Sequence, residues 1–179
     1  MIRYKQFIVN TFILIFMVIF FSCNREKEGE NQRRKQIPKQ SLEEVNKLLI
    51  EKDAELIKSY VNRRGWKMEE SNSGLWYMIY EDGEGEHIKR GDFISFNYRV
   101  NLLDGTFCYS SEEQGPKSIV VGKGGVESGL EEGVLLLKSG SKARFILPPH
   151  LAHGLIGDEN KIPARAIIIY DIEILTINQ

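Results

Sequence analysis

The segment ISFNYRVNL, residues 94–102, alternates apolar and polar side chains without a miss. A period of two is that of a β-strand, so one face of this strand is predicted to be buried and the other to face solvent. The apolar face comprises Ile94, Phe96, Tyr98, Val100 and Leu102. Asp104-Gly105 follows two residues later and favours a tight hairpin turn. The segment therefore predicts a half-buried strand that opens a hairpin.

Other short apolar runs on both sides of this strand predict the rest of a sheet. The predicted strands are Leu75–Tyr80, Phe107–Ser110, Ser118–Val121, Lys142–Leu147 and Ala166–Leu175. A short helix is predicted over Val126–Leu137, and its internal Gly129 and Gly133 indicate close packing on the sheet. Pro148–Arg165 is a long loop, and loops of this length are often functional. The pattern predicts an α+β domain, a mostly antiparallel sheet crossed by one helix.

The N-terminus has the composition of a secretion signal. Residues 1–22 contain no acidic side chain, and Arg3 and Lys5 precede the apolar run Phe7–Phe21. That run is shorter than the roughly 20 residues that span a bilayer. Ser22-Cys23 at its end is similar to bacterial lipoprotein signals, which implies cleavage after residue 22 and lipidation of Cys23; an uncleaved anchor is the alternative. Either way we expect a membrane-anchored protein of the cell envelope, facing the periplasm or the cell surface.

Residues 23–40 are predicted to be a disordered tether, because Ile37 is their only large apolar side chain. The segment 41–72 is predicted to be helical. Ser41-Leu42-Glu43-Glu44 is a capping-box pattern, and the helix is expected over 42–63, ended by Gly65. The apolar stripe comprises Leu42, Val45, Leu49, Leu56 and Tyr60.

This helix could pack on its own domain or form a dimer. Lys52, Asp53 and Ser59 interrupt any heptad seam, so packing on its own domain, and hence a monomer, is favoured. The oligomeric state nevertheless stays open at this point.

Composition excludes several classes of function. The 24 basic and 25 acidic residues give a net charge of −1, so nucleic acid is not an expected partner. Two cysteines cannot form a disulfide framework. Residues 122–125 lack nucleotide-binding spacing, and His150 and His153 lack a metal-binding context. We therefore expect neither a cofactor nor a metal ion.

Residues 73–177 resemble FKBP-type peptidyl-prolyl cis-trans isomerases. The matching pieces run in register along the chain: Ser73–Tyr77, Asp82–Gly85, Gly91–Phe93, Tyr98, Asp104-Gly105, Val121-Gly122, Val126, Gly129, Glu131–Gly133, Gly140, Pro148, His150, Ala152, Gly154, Gly157, Ile162-Pro163 and Tyr170–Ile174. With its signal and tether, the chain is also similar to gliding-motility-associated FKBP-type lipoproteins of Bacteroidetes. The resemblance implies that residues 73–179 form a half-barrel sheet wrapped on one short helix, with a pocket between them that binds proline-containing polypeptides.

The resemblance also implies a set of pocket residues, several of which depart from the family. The implied site comprises Tyr98, Tyr109, Val126, Leu130, His153, Ile162 and Tyr170. The family usually has Phe at Cys108, Asp at Tyr109, Trp at Leu130 and Tyr at His153, and it has apolar residues more often at Lys117 and Glu127. Two functions remain open: an exported isomerase that assists folding of envelope proteins, and a non-catalytic FKBP-like module or chaperone that binds proline-containing chains.

Overall fold

A computed structural model describes residues 39–178 of the chain. The predicted signal segment 1–22, the lipidation site Cys23 and nearly all of the predicted tether lie outside these residues. From Glu44 onward the described residues form one compact unit. No helix within residues 39–178 is long and apolar enough to cross a bilayer.

Helix α1 runs over Lys39–Arg64 and so starts earlier than predicted, which places Ser41 inside the helix rather than at its N-cap. The C-terminal end of the helix agrees with the prediction, because the helix stops directly before Gly65. Gly65 adopts a left-handed conformation with φ of 65°. Its N–H donates to the carbonyl of Asn62, and the N–H of Trp66 donates to the carbonyl of Val61. This pair of bonds is a Schellman motif, which glycine favours because it lacks a Cβ.

The buried stripe of α1 differs from the predicted one. Ile57, Tyr60 and Val61 are buried, whereas Val45 and Leu56 are exposed. The buried residues pack on Trp76, Ile146, Ile167 and Ile169. The helix thus meets the sheet only along its C-terminal half, and the apolar residues nearer its start have no sheet beneath them. This contact is the packing on the chain's own domain that the sequence favours.

Within residues 39–178, seven strands form one sheet in which every pairing is antiparallel. They are β1 (Glu69–Glu70), β2 (Trp76–Glu81), β3 (Phe93–Leu102), β4 (Phe107–Ser110), β5 (Lys117–Val120), β6 (Lys142–Leu147) and β7 (Ile168–Asn178). The order is β1-β2-β6-β7-β3-β4, and β5 pairs with the first half of β3 beside β4. The α+β class is confirmed. Strand β1 and the one-turn helix α2 (Ser111–Gln114) are too short to leave a periodic signal in the sequence.

Helix α3 (Ser128–Val134) crosses the inner face of the sheet, opposite α1. Its two glycines allow close packing, as predicted. A Cβ on Gly129 would lie 2.7 Å from Leu147 Cγ, and one on Gly133 would lie 2.8 Å from the ring of Phe145. Larger residues would push the helix away from the sheet. The main core lies between α3 and the alternating inner side chains of β3, β6 and β7.

Candidate active site

A cavity of about 190 Å³ opens where β3, β4, β5, β7, the start of α3 and the loop after β6 meet. Its lining is formed by Tyr98, Val100, Tyr109, Gln114, Lys117, Glu127, His153, Ile162 and Tyr170. Strand pairing brings several of these residues together, since Val100 on β3 lies opposite Tyr170 on β7. The cavity therefore has a rigid sheet as one wall and a loop as another.

Tyr170 forms the deep part of the sheet wall. Its side chain is buried, and its ring centroid lies 6.5 Å from that of Tyr98. Burial first, and then the charge of Glu127 and the hydrogen bond to it, raise the pKa of Tyr170 well above 10.0. Tyr170 is therefore a neutral phenol at any physiological pH.

Glu127 lies one residue before α3. Its carboxylate connects this side of the cavity to Tyr170 on β7 and to His153 on the loop after β6. Its Oε1 accepts a hydrogen bond from the Tyr170 hydroxyl at 3.0 Å and lies 2.9 Å from His153 Nε2. Only 9% of the Glu127 side chain is exposed. A carboxylate can only accept hydrogen bonds, so His153 Nε2 carries a proton that is directed at Glu127. That nitrogen is engaged within the protein rather than pointed at a ligand.

Asp158 shapes the loop that brings Ile162 to the cavity. Its Oδ1 accepts the N–H groups of Ile162 at 2.7 Å and Asn160 at 2.9 Å. Its Oδ2 accepts the hydroxyl of Tyr109. Burial pushes the pKa of Asp158 upward, but these three hydrogen bonds outweigh it, so the pKa lies below 3.8. The result is a tight turn that holds the buried side chain of Ile162 against the cavity.

Gly157 makes this turn possible. Its φ is 82°, and a Cβ at this position would lie 2.3 Å from the carbonyl oxygen of Ile162. Any other residue would open the turn. The glycine identified in the sequence as part of the family pattern therefore has a steric reason here.

The structure brings together five of the seven predicted site residues: Tyr98, Tyr109, His153, Ile162 and Tyr170. The other two lie elsewhere. Leu130 is fully buried in the core, because α3 turns it towards the sheet. Val126 faces a neighbouring concavity with Arg90 and Gly122.

Four lining residues were not predicted: Val100, Gln114, Lys117 and Glu127. The sequence marks Lys117 and Glu127 as unusual, because the resemblance implies that apolar residues are more common at both positions. Nothing in the sequence marks Gln114, because the helix that carries it has only four residues and is too short to produce a periodic pattern.

Cys108 packs behind the cavity and is fully buried. Its Sγ lies near the carbonyl oxygens of Lys161 and Thr106, at 3.8 and 3.9 Å. Burial raises the pKa of the thiol, so Cys108 is a packing residue rather than a nucleophile.

His150 contacts the carbonyl of Ser73 through Nε2. Residues 39–178 hold no group of three or more His, Cys, Asp or Glu side chains that could bind a metal.

A larger groove of about 350 Å³ lies around Tyr80, Arg99, Lys142 and Asp171. Two of its charged groups form ion pairs: Lys142 with Glu173 and Glu81, and Asp171 with Arg144. Glu81 and Arg144 are not among the residues that line the groove. The groove lacks buried aromatic walls. The smaller cavity is therefore the better candidate for a binding site.

The sequence model of the FKBP-type peptidyl-prolyl cis-trans isomerase family matches residues 84–175, more than half of the chain. The chain therefore belongs to this family, which confirms the resemblance found in the sequence. It is 41% identical over 108 residues to the FKBP-type peptidyl-prolyl cis-trans isomerase FkpA of Buchnera aphidicola, covering 60% of this chain and 42% of that protein. It is 34% identical over 147 residues to FkpA of Aeromonas hydrophila, covering 77% and 53%.

Other proteins also match this domain. Human peptidyl-prolyl cis-trans isomerase FKBP9 is 37% identical over 90 residues, covering 50% of this chain and 16% of FKBP9. The crystal structure of AtFKBP13 superposes with a TM-score of 0.60 at 27% identity, covering 63% of this chain and 99% of that structure. The chain thus matches between 16% and 53% of the length of these curated relatives.

Proposed function

We propose that this chain catalyses cis–trans isomerisation of Xaa–Pro bonds in polypeptides. The supporting observation is the cavity itself, whose walls are the rings of Tyr98, Tyr109 and Tyr170 and the buried side chain of Ile162. Its size suits one small ring. No nucleophile is needed, because the reaction rotates a bond without breaking one.

The reaction gains from a dry aromatic pocket. The barrier to rotating a peptide bond is about 18–20 kcal/mol, because the twisted amide loses its resonance. The twisted amide is also less dipolar than the planar one, so an apolar surrounding favours it over the ground state. Each tenfold acceleration requires about 1.36 kcal/mol of such preference.

Hydrogen bonds within the protein keep the phenols in place. The hydroxyl of Tyr98 donates to Gln114 at 2.7 Å, that of Tyr109 to Asp158 and that of Tyr170 to Glu127. The rings therefore present fixed carbon surfaces to a bound proline. Because these side chains are already ordered, they lose little conformational entropy when the substrate binds.

The direct test is an isomerisation assay with the full chain in detergent. Exchange between cis and trans signals of an Ala–Leu–Pro–Phe peptide would be measured by NMR at several protein concentrations. A rate that rises in proportion to protein supports the proposal. An unchanged rate, with the protein folded, contradicts it.

A non-catalytic module that binds proline-containing chains is the second candidate. The observation in its favour is the Glu127 carboxylate. It places a charged group in the cavity, whereas an apolar surrounding would favour the twisted amide of the transition state. The same NMR experiment separates the two functions. Peptide signals that broaden or shift on binding, without faster exchange between isomers, would favour the module.

We also propose that the protein is exported and anchored to a membrane through lipidated Cys23, and that it acts on envelope proteins during folding. The positive start, the apolar run and Ser22-Cys23 support this location. Changing Cys23 to Ala should release the protein from the membrane fraction. Unchanged fractionation, with no lipid mass on the N-terminal peptide, would contradict the anchor and leave the isomerase proposal intact.

A further inference from the structure

Two lysine side chains at the rim of the cavity have no acidic partner. Lys117, the first residue of β5, lines the cavity and is half-buried. Lys161, in the loop after β6, is exposed, and its Nζ lies 5.2 Å from the centroid of the Tyr109 ring, which forms part of the cavity wall. Among residues 39–178, neither ammonium group forms an ion pair with a carboxylate.

Two acidic side chains beside the cavity are already engaged within the protein. Only 9% of the Glu127 side chain is exposed, and its carboxylate binds two neighbouring side chains. Asp158 accepts one side-chain hydrogen bond and two backbone hydrogen bonds. Three other acidic residues of this region are exposed and do not line the cavity: Glu112, Glu113 and Glu159. The accessible rim of the cavity therefore carries two positive charges that a ligand can neutralise.

We propose that Lys117 and Lys161 are specificity-determining residues that favour polypeptides with an aspartate or glutamate directly before the proline. This inference rests on the proposed isomerase function. The bond that rotates joins that residue to the proline, so its side chain stays beside the rim while the ring occupies the cavity. A carboxylate at this place is attracted by both ammonium groups, whose flexible stems let them approach it. An uncharged residue of the same size gains no such attraction.

The size of the preference follows from the exposure of the two lysines. Water and dissolved ions screen an ion pair at a protein surface, so each lysine contributes modestly. Together the two charges should raise kcat/KM for the acidic sequence by about three- to tenfold. Added salt should reduce this ratio, because screening acts most strongly on exposed charges.

The test compares two peptides with blocked ends and with identical composition and net charge. The first, Ala–Glu–Pro–Phe–Ala–Ala–Gln, has its glutamate directly before the proline, whereas the second, Ala–Gln–Pro–Phe–Ala–Ala–Glu, has the glutamate and glutamine exchanged. Isomerisation by the full chain in an uncharged detergent would be measured by NMR exchange, with the uncatalysed rate of each peptide subtracted. We expect the first peptide to have a kcat/KM about three- to tenfold higher than that of the second.

Variants then assign the preference to the two lysines. Lys117→Gln and Lys161→Gln should each lower the ratio between the peptides, and the two changes together should abolish the preference. Lys123→Gln should leave the ratio unchanged and is the matched control, because Lys123 is an exposed lysine that does not line the cavity. Lys117→Glu combined with Lys161→Glu should reverse the preference, so that a peptide with lysine before the proline is accelerated more than its glutamine counterpart. An unfolded variant cannot produce this reversal.

Each outcome has a meaning. Equal kcat/KM for the two peptides, or a preference for the second, overturns the inference and leaves the isomerase proposal standing. A preference for the first peptide that persists when both lysines are changed to glutamine also overturns it. Acceleration of neither peptide contradicts the isomerase proposal, and binding then decides. In that case tighter binding of the first peptide, lost in the double glutamine variant, supports the inference, and equal dissociation constants overturn it.

Discussion

The hydroxyl of Tyr109 donates a hydrogen bond to the carboxylate of Asp158 and so ties β4 to the loop that carries Ile162. The same carboxylate accepts two backbone N–H groups of that loop. One acidic side chain thus joins the sheet wall of the cavity to its loop wall. The resemblance in the sequence implies an acidic residue at position 109. In the structure the acid lies on the loop, and the phenol of Tyr109 reaches it from the strand.

Tyr109→Phe should loosen this connection. It removes only the oxygen, so the ring still lines the cavity. We expect a loss of about 1–2 kcal/mol in the free energy of unfolding, in the lower part of the range for bonds to charged groups because the pair is only partly buried. Tyr77→Phe is the control, because its hydroxyl donates to Glu69 at the exposed edge of the sheet. That change should cost less than about 0.5 kcal/mol. Equal effects in denaturant titrations would contradict this role for Tyr109.

Acid should weaken the same turn. The pKa of Asp158 is lowered in the fold, so its charge stabilises the native state above the unfolded value of about 3.9. That contribution is lost as the pH falls through the lower folded pKa. The difference in melting temperature between the original chain and Asp158→Asn should therefore be constant from pH 7 to 5 and shrink below about pH 4. A difference that grows in acid would show that the charge of Asp158 destabilises the fold.

Sequence periodicity predicts most of the sheet because its strands have one buried face. Residues 94–102 alternate strictly. Ile94, Phe96 and Val100 are buried in the main core, and Tyr98 and Leu102 pack against it. Glycine positions are equally informative: Gly65 ends α1, and a Cβ at Gly133 would clash with the ring of Phe145. These features depend on local chain geometry, which the sequence carries directly.

The site is harder to predict because it depends on contacts between distant segments. Glu127 and His153 are 26 positions apart in the sequence and meet only after the loop folds over α3. Leu130 is a second case. The resemblance implies a pocket position for this residue, whereas its side chain is fully buried in the core. The predicted buried stripe of α1 is wrong for a similar reason. The position of the sheet decides which apolar residues of the helix are buried, and the sequence of the helix does not contain that position.

The ion pair between Asp53 and Arg165 should anchor α1 to the loop before β7. Arg165 Nη2 lies 2.7 Å from Asp53 Oδ2, and the carboxylate is largely buried. Asp53→Ala should cost about 1–3 kcal/mol, less than the 3–5 kcal/mol of a fully buried pair because the guanidinium is partly exposed. Glu51→Ala breaks the exposed pair with Lys47 and should cost about 0.5 kcal/mol or less. If both variants melt alike, the pair does not anchor the helix.

Enlarging Leu130 should damage the core rather than restore a binding surface. Leu130→Trp should lower the free energy of unfolding by about 1–3 kcal/mol, because the side chain is fully enclosed. Leu130→Met, which nearly conserves volume, should cost less than about 1.5 kcal/mol. Isomerase activity that rises in Leu130→Trp without loss of stability would show that this residue reaches the cavity in solution.

The central claim is that the cavity around Tyr98, Ile162 and Tyr170 is where Xaa–Pro bonds rotate. Two isoleucines of one loop test it most directly: Ile162 lines the cavity and is 3% exposed, whereas Ile156 is 74% exposed and does not line it. The measurement is catalysed isomerisation of a proline peptide by NMR exchange, for Ile162→Ala and Ile156→Ala side by side, with folding checked by thermal melting. We predict that Ile162→Ala lowers kcat/KM by about tenfold or more, the equivalent of about 1.4 kcal/mol, and that Ile156→Ala leaves it unchanged. A folded Ile162→Ala variant with full activity, or equal losses in both variants, would contradict the assignment of this cavity as the active site.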